Sequence, residues 1–184
     1  MPAANGPSWS ELRKELIGME KLELIGLLQD LYKLNNDNKT FLASRLVQTD
    51  LESLAAPYRK IIEDQFNPRR GFPKLGLRVA RKAVTDFKKA ANNPIAVIDM
   101  MLYYVEQGVS CTNAIGDIDE PFYNSHVSMY ASAVKLINEV NDPAVTEQFR
   151  PRAQRIVRNT SSIGWGFHDE LAEIYGSDYP QEEA

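Results

Sequence analysis

Leu77, Ala80, Val84, Phe87 and Ala91 recur at intervals of three and four residues, a spacing that gathers them on one face of an α-helix and scatters them over both faces of a strand. The same rhythm returns along most of the chain. Leu24, Leu27, Leu28 and Leu31 repeat it near the beginning, with Glu23, Gln29 and Asp30 turned away. No segment alternates β-branched residues with polar ones between turn signals, and no fixed-period repeat is present. The pattern specifies an all-α chain of about eight helices in a single compact domain, with a short α-α superhelical stack as the alternative.

Start and stop signals divide this helical pattern. Ser8 and Glu11 have the spacing of a capping box. Asn35 to Asn38 are short polar side chains that favour turns, after which Phe41, Leu42 and Leu46 open another element. Asp50 is placed to cap a further turn, but Pro57 lacks an amide hydrogen, so the expected main helix begins there and runs to about Phe66. Asn93-Pro94, Asp119-Glu120-Pro121 and Asn141-Asp142-Pro143 each place a cap beside a proline in a first turn. The helix after Pro121 carries two apolar stripes, one through Tyr123, Val127 and Tyr130 and one through Met129, Ala133 and Leu136. It is therefore expected to be the central helix. A seventh helix is marked by Phe149, Ala153, Ile156 and Val157, and a last one by Leu171, Ile174 and Tyr175. The expected organisation is a loose tail over residues 1–7, one helical domain over 8–176 and a polar tail over 177–184.

At 184 residues, 43% apolar and 25% charged, the chain is long enough to bury a core without disulfides or metal. Its longest mostly apolar stretch, Ala90 to Met101, is interrupted by Asn92, Asn93, Pro94 and Asp99, which argues against a membrane role. Met1 to Pro7 lacks the basic and apolar regions of a secretory signal. Cys111 is the only cysteine, which suits a reducing cytoplasm and leaves no basis for a cysteine-held zinc ion. A net charge of -4 gives no global attraction to nucleic acid, so such binding requires a local patch.

Several strings occur together: Phe72-Pro73-Lys74-Leu75, Arg81-Lys82-Ala83, Asp86-Phe87-Lys88-Lys89, and Met101-Leu102-Tyr103-Tyr104-Val105-Glu106-Gln107-Gly108. With Gly116 to Asn124 and Ile163-Gly164-Trp165-Gly166-Phe167-His168-Asp169, the chain resembles a bacterial family of small proteins classed as a domain of unknown function. The resemblance runs from about Leu12 to Tyr175. It implies a bacterial cytoplasmic protein and carries over no catalytic residue.

Between Gln65 and Ala91 the chain holds Arg69, Arg70, Lys74, Arg78, Arg81, Lys82, Lys88 and Lys89 against the single acid Asp86. Arg69, Arg70, Lys74, Arg78, Arg81 and Lys82 are the candidates for holding phosphates of a nucleic acid or another anion. The competing expectation is internal neutralisation. Ala90 to Val134 contains Asp99, Glu106, Asp117, Asp119 and Glu120 with no Lys or Arg, a natural counterpart across a helix pair.

Both histidines, His126 and His168, stand near carboxylates in the sequence, a residue set that binds transition metals. The spacing matches neither a His-Glu-x-x-His nor a Glu-x-x-His motif, so no metal or cofactor is assigned. Asp119 and Glu120 are explained as cap residues, Cys111 as packing, and the glycines of Gly164-Trp165-Gly166 as a turn that lets Trp165 and Phe167 anchor the last helix. Arg150, Arg152, Arg155 and Arg158 crowd the seventh helix, and Asp117, Asp119 and Glu120 are the expected carboxylate partners. If these converge, Asp117, Asp119, Glu120, Tyr123, His126, Arg155, Trp165, His168 and Asp169 form a polar pocket. Three functional readings follow: a noncatalytic helical module that binds another protein, a nucleic-acid or phosphate binder using residues 69–89, and a metal-assisted hydrolase around His126 and His168.

Overall fold

A computed structural model describes residues 6–46 and 50–179, and the described residues form nine α-helices and no strand. The fold is all-α. The helices fall into two compact units, residues 1–47 and 48–184, so the 8–176 span expected as one domain crosses both. No helix among the described residues is long and apolar enough to cross a membrane.

The first unit contains α1 (Trp9–Gly18), α2 (Lys21–Leu34) and α3 (Asn36–Leu46). Its boundaries are set by side chains that satisfy free amides. The Ser8 and Glu11 capping box forms as the spacing requires, with the Ser8 amide donating to Glu11 Oε2 at 2.7 Å. A second box, between Glu20 and Glu23, separates α2 from α1. The α2–α3 turn is tied by the Asn38 amide donating to Asn35 Oδ1 at 2.8 Å, while Asn38 Nδ2 donates to the Leu31 carbonyl at 2.7 Å. Neither α1 nor α2 buries a single residue.

The second unit contains α4 (Leu51–Phe66), α5 (Leu77–Ala91), α6 (Pro94–Ile115), α7 (Glu120–Val140), α8 (Pro143–Arg158) and α9 (Phe167–Asp178). Asp50, Asn93, Asp119 and Asp142 cap α4, α6, α7 and α8, and proline stands in the first turn of the last three. The start of α4 differs from expectation. The Asp50 cap opens the helix at Leu51, and Pro57 is carried inside it, at the cost of one backbone hydrogen bond. The centre also differs. α6 packs against α4, α5, α7 and α8, whereas α7 packs against α6, α8 and α9. Across its 22 residues α6 contains only two charged side chains, Asp99 and Glu106, and it buries residues on most of its circumference.

Aromatic rings fill the middle of this unit. Phe66 meets Tyr104 and Phe122 edge to face at 5.3 and 5.6 Å, geometry that favours aromatic pairs. Phe167 is buried against Tyr123 at 5.0 Å and holds the start of α9. Trp165 contributes no such anchor. With φ of 61° and 67% exposure, it points outward.

Candidate binding surfaces

The polar side of α6 is a stripe. Asp99, Tyr103, Glu106, Ser110 and Asn113 follow one another at four and three residues and therefore line one face. Arg152 of α8 straddles this stripe. Its Nε and Nη2 each donate to a Glu106 oxygen at 2.7 Å, and its Nη1 donates to Asp99 Oδ1 at 2.5 Å. Arg59 of α4 takes the other Asp99 oxygen at 2.6 Å, pairs with Glu52 and lies 5.4 Å over the Tyr103 ring. Tyr103 donates to Glu63, and burial followed by that carboxylate pushes its phenol well above the ordinary range. One cleft of about 280 Å³ beside the network is lined by Leu51, Arg59, Phe87, Asp99 and Phe149, and another of about 240 Å³ by Glu106, Ser110, Asn113 and Asn159.

This network corrects the expected pairing of the arginines of α8. Arg152 reaches Asp99 and Glu106 rather than Asp117, Asp119 or Glu120, because α8 packs along the body of α6 and not at the α6–α7 turn. Arg150 donates to the Tyr175 hydroxyl at 3.5 Å, and Arg155 and Arg158 are exposed. The bidentate fork and shared carboxylate make the network a brace among α4, α6 and α8.

The brace also shows which cations meet two acids of the acid-only stretch. Asp99 and Glu106 are met by Arg59 and Arg152, which lie outside the basic segment. Of the six anion candidates, Arg81 turns inward, its Nη1 donating to the Ser125 carbonyl and hydroxyl at 3.0 and 3.1 Å. Lys82 pairs with Asp86 one turn along α5. Arg69, Arg70, Lys74 and Arg78 are exposed and pair with no acid among the described residues. They flank Phe72 along the chain, a residue absent from the sequence-based candidates, whose exposure is 91%. Its signal was its setting, between Gly71 and Pro73, where no helix face exists to bury it.

The expected polar pocket does not assemble. Asp119 caps α7, accepting from the Phe122 amide at 2.9 Å, and Glu120 is exposed in the first turn. Asp117 accepts from the Tyr123 hydroxyl at 3.4 Å, while the Tyr123 oxygen accepts from the Ile118 amide at 3.2 Å. Trp165 and Asp169 face outward. His168 Nδ1 lies 2.9 Å from the Thr160 hydroxyl, which itself donates to the Val157 carbonyl. Among the described residues, no three His, Cys, Asp or Glu side chains gather as a metal ion would require.

His126 is instead a core residue. Its ring lies 4.7 Å from Tyr104, 4.2 Å from Phe122 and 5.2 Å from Phe66, with no solvent exposure. Nδ1 is 2.7 Å from the Phe122 carbonyl, which only accepts, so Nδ1 carries the proton and Nε2 is the bare nitrogen. Nε2 has no partner and faces Gly108, where an added Cβ would stand 2.0 Å away. Burial lowers the imidazole pKa to about 4, opposed by the Phe122 carbonyl and aided by the nearby Arg81 charge. Burial likewise pushes the Cys111 thiol up to about 11, so it is a poor nucleophile.

The remaining surface is on the first unit. Leu22, Ile25, Leu27, Leu28, Leu31, Tyr32 and Leu34 of α2 are all exposed, Leu22 at 81% and Leu34 at 72%. They occupy most of the helix circumference, a composition that belongs to a covered helix.

Residues 8–178 match the model of DUF6155, described as a family of unknown function. The chain belongs to this family. No curated protein and no solved structure matches it.

Proposed function

We propose that this DUF6155 chain is a noncatalytic helical protein-interaction module whose partner-binding element is α2, and that the partner α2 takes is a second copy of the chain. The observation that carries the reading is the absence of any buried residue in an α2 helix that displays seven large apolar side chains. Contiguous apolar surface of that kind marks interaction sites.

Area and the helix dipole favour a second copy. Taking about 180 Å² for a fully exposed side chain of this size, α2 offers roughly 700 Å² of apolar surface, so two copies approach the roughly 1,200–2,000 Å² of a stable interface. Glu20, Lys21 and Glu23 stand at the start of α2 and Asp30 and Lys33 near its end. An antiparallel pair opposes the two helix dipoles. We assign the module to the reducing cytoplasm of a bacterium, in keeping with its single cysteine and with the family resemblance.

Sedimentation velocity of the full chain over a concentration series tests this. The expected result is a species of twice the 20.8 kDa chain mass at micromolar concentration, converted to monomer by Leu22→Glu combined with Ile25→Glu. These side chains are not buried in their own unit, so circular dichroism of the variant should remain helical. A wild-type chain that stays monomeric to about 100 μM, where even a weak specific dimer with a micromolar Kd is populated, rules the second copy out.

A further inference from the structure

The cations around Phe72 carry a binding site independent of α2. The α4–α5 loop holds one shape: the Lys74 and Leu75 amides both donate to the Gln65 carbonyl, at 2.9 and 3.0 Å, and Gly71 and Leu75 adopt φ of 83° and 53°. Leu75 packs inward against the core. Gly76 backs onto Gln65 so closely that a Cβ there would stand 2.2 Å from Gln65 Oε1. The one large apolar side chain left outside is Phe72, with Arg69 and Arg70 before it, Lys74 after it and Arg78 on the first turn of α5. Two of the acids expected to neutralise these charges, Asp99 and Glu106, are held by Arg59 and Arg152 instead.

We propose that this loop is a binding site for single-stranded nucleic acid, in which Phe72 stacks on an unpaired base while Arg69, Arg70, Lys74 and Arg78 neutralise the flanking phosphates. An exposed ring among cations is the combination that single strands require, since every base has a face to stack and the backbone supplies the charge. A duplex hides its base faces and cannot use Phe72 in this way. An anionic membrane is less well served, because one ring projects where an inserting surface needs several.

The test is fluorescence anisotropy of the full chain with labelled dT and rU strands of about 12 nucleotides, a duplex of equal length and a poly-glutamate peptide, alongside co-sedimentation with phosphatidylserine-containing vesicles. With four phosphates neutralised, the slope of log K against log salt should be about -2.8, a loss of about 50-fold between 50 and 200 mM. Phe72→Ala should weaken binding about 5- to 150-fold with the slope unchanged, whereas Phe72→Trp should keep it. Arg69→Gln combined with Arg70→Gln should reduce the slope magnitude by about 1.4. The dT and rU arms show which sugar is preferred, and binding of either supports the site. No binding at 50 mM salt, equal affinity for duplex, indifference to Phe72→Ala in a variant with an unchanged melting curve, or tighter binding to vesicles or poly-glutamate would each overturn it.

Discussion

Acidification should unlock the core through His126, and the size of the effect follows from its surroundings. The imidazole titrates near 4 in the folded chain against an ordinary 6.5, because it is enclosed by Phe66, Tyr104 and Phe122 with Nε2 facing Gly108. A depressed histidine pKa means that the unfolded chain binds the proton more readily. Stability is therefore full above about pH 6.5, falls as the pH drops towards 4 and levels off below that. At 1.36 kcal/mol per pKa unit, the whole window costs about 3 kcal/mol, a large share of the stability of a domain this size. Acidification acts on the whole chain, so a control specific to His126 is needed. His126→Asn keeps a donor for the Phe122 carbonyl and removes the titration. Urea unfolding at pH 7 and pH 4, followed by far-ultraviolet circular dichroism, should show the variant less stable at pH 7 because of the cavity it leaves, yet losing about 3 kcal/mol less than wild type on acidification. Equal losses in both proteins would refute the assignment of His126 as a buried neutral imidazole.

Gly108→Ala would drive a methyl group into the same imidazole, which is walled in and cannot retreat; a loss of about 3 kcal/mol by urea unfolding is expected, the upper range for overpacking. Gly26→Ala is the opposite case, an open position inside α2, and should raise helix stability by about 1 kcal/mol, read as a higher melting temperature by circular dichroism. Arg152→Met leaves the part-buried Glu106 without its arginine and Asp99 with Arg59 alone, and should cost about 2 kcal/mol at pH 7. Arg152→Lys should rescue little of this in the same denaturation assay, since an ammonium cannot span both carboxylates with a fork.

The helices were legible in the sequence wherever a cap and a proline stood together. Asn93-Pro94, Asp119-Glu120-Pro121 and Asn141-Asp142-Pro143 open α6, α7 and α8 as their spacing predicts. Pro57 misled because a helix cap is a local signal and an interior proline is tolerated when packing on both sides of it outweighs one missing hydrogen bond. The Arg152 brace was not legible. Its partners are 46 and 53 residues away, and only the packing of α8 along α6 decides which carboxylates an arginine meets. His126 did carry a signal: it lies three residues after Tyr123 and four before Tyr130, on the apolar stripe of α7, where a histidine is enclosed with its neighbours. Phe72 carried a weaker signal, its place between Gly71 and Pro73 off any helix face, and its exposure shows only in the folded loop.

Hydrogen exchange of the α2 amides in the full chain, measured at low and high protein concentration, tests the interaction role most directly. A 14-residue helix with no buried side chain has little protection of its own. If α2 is covered by a second copy, protection of residues 22–34 should rise with concentration and vanish in the Leu22→Glu and Ile25→Glu variant, while α6 exchanges alike in both. Fast exchange across α2 at every concentration, identical in wild type and variant, would contradict it.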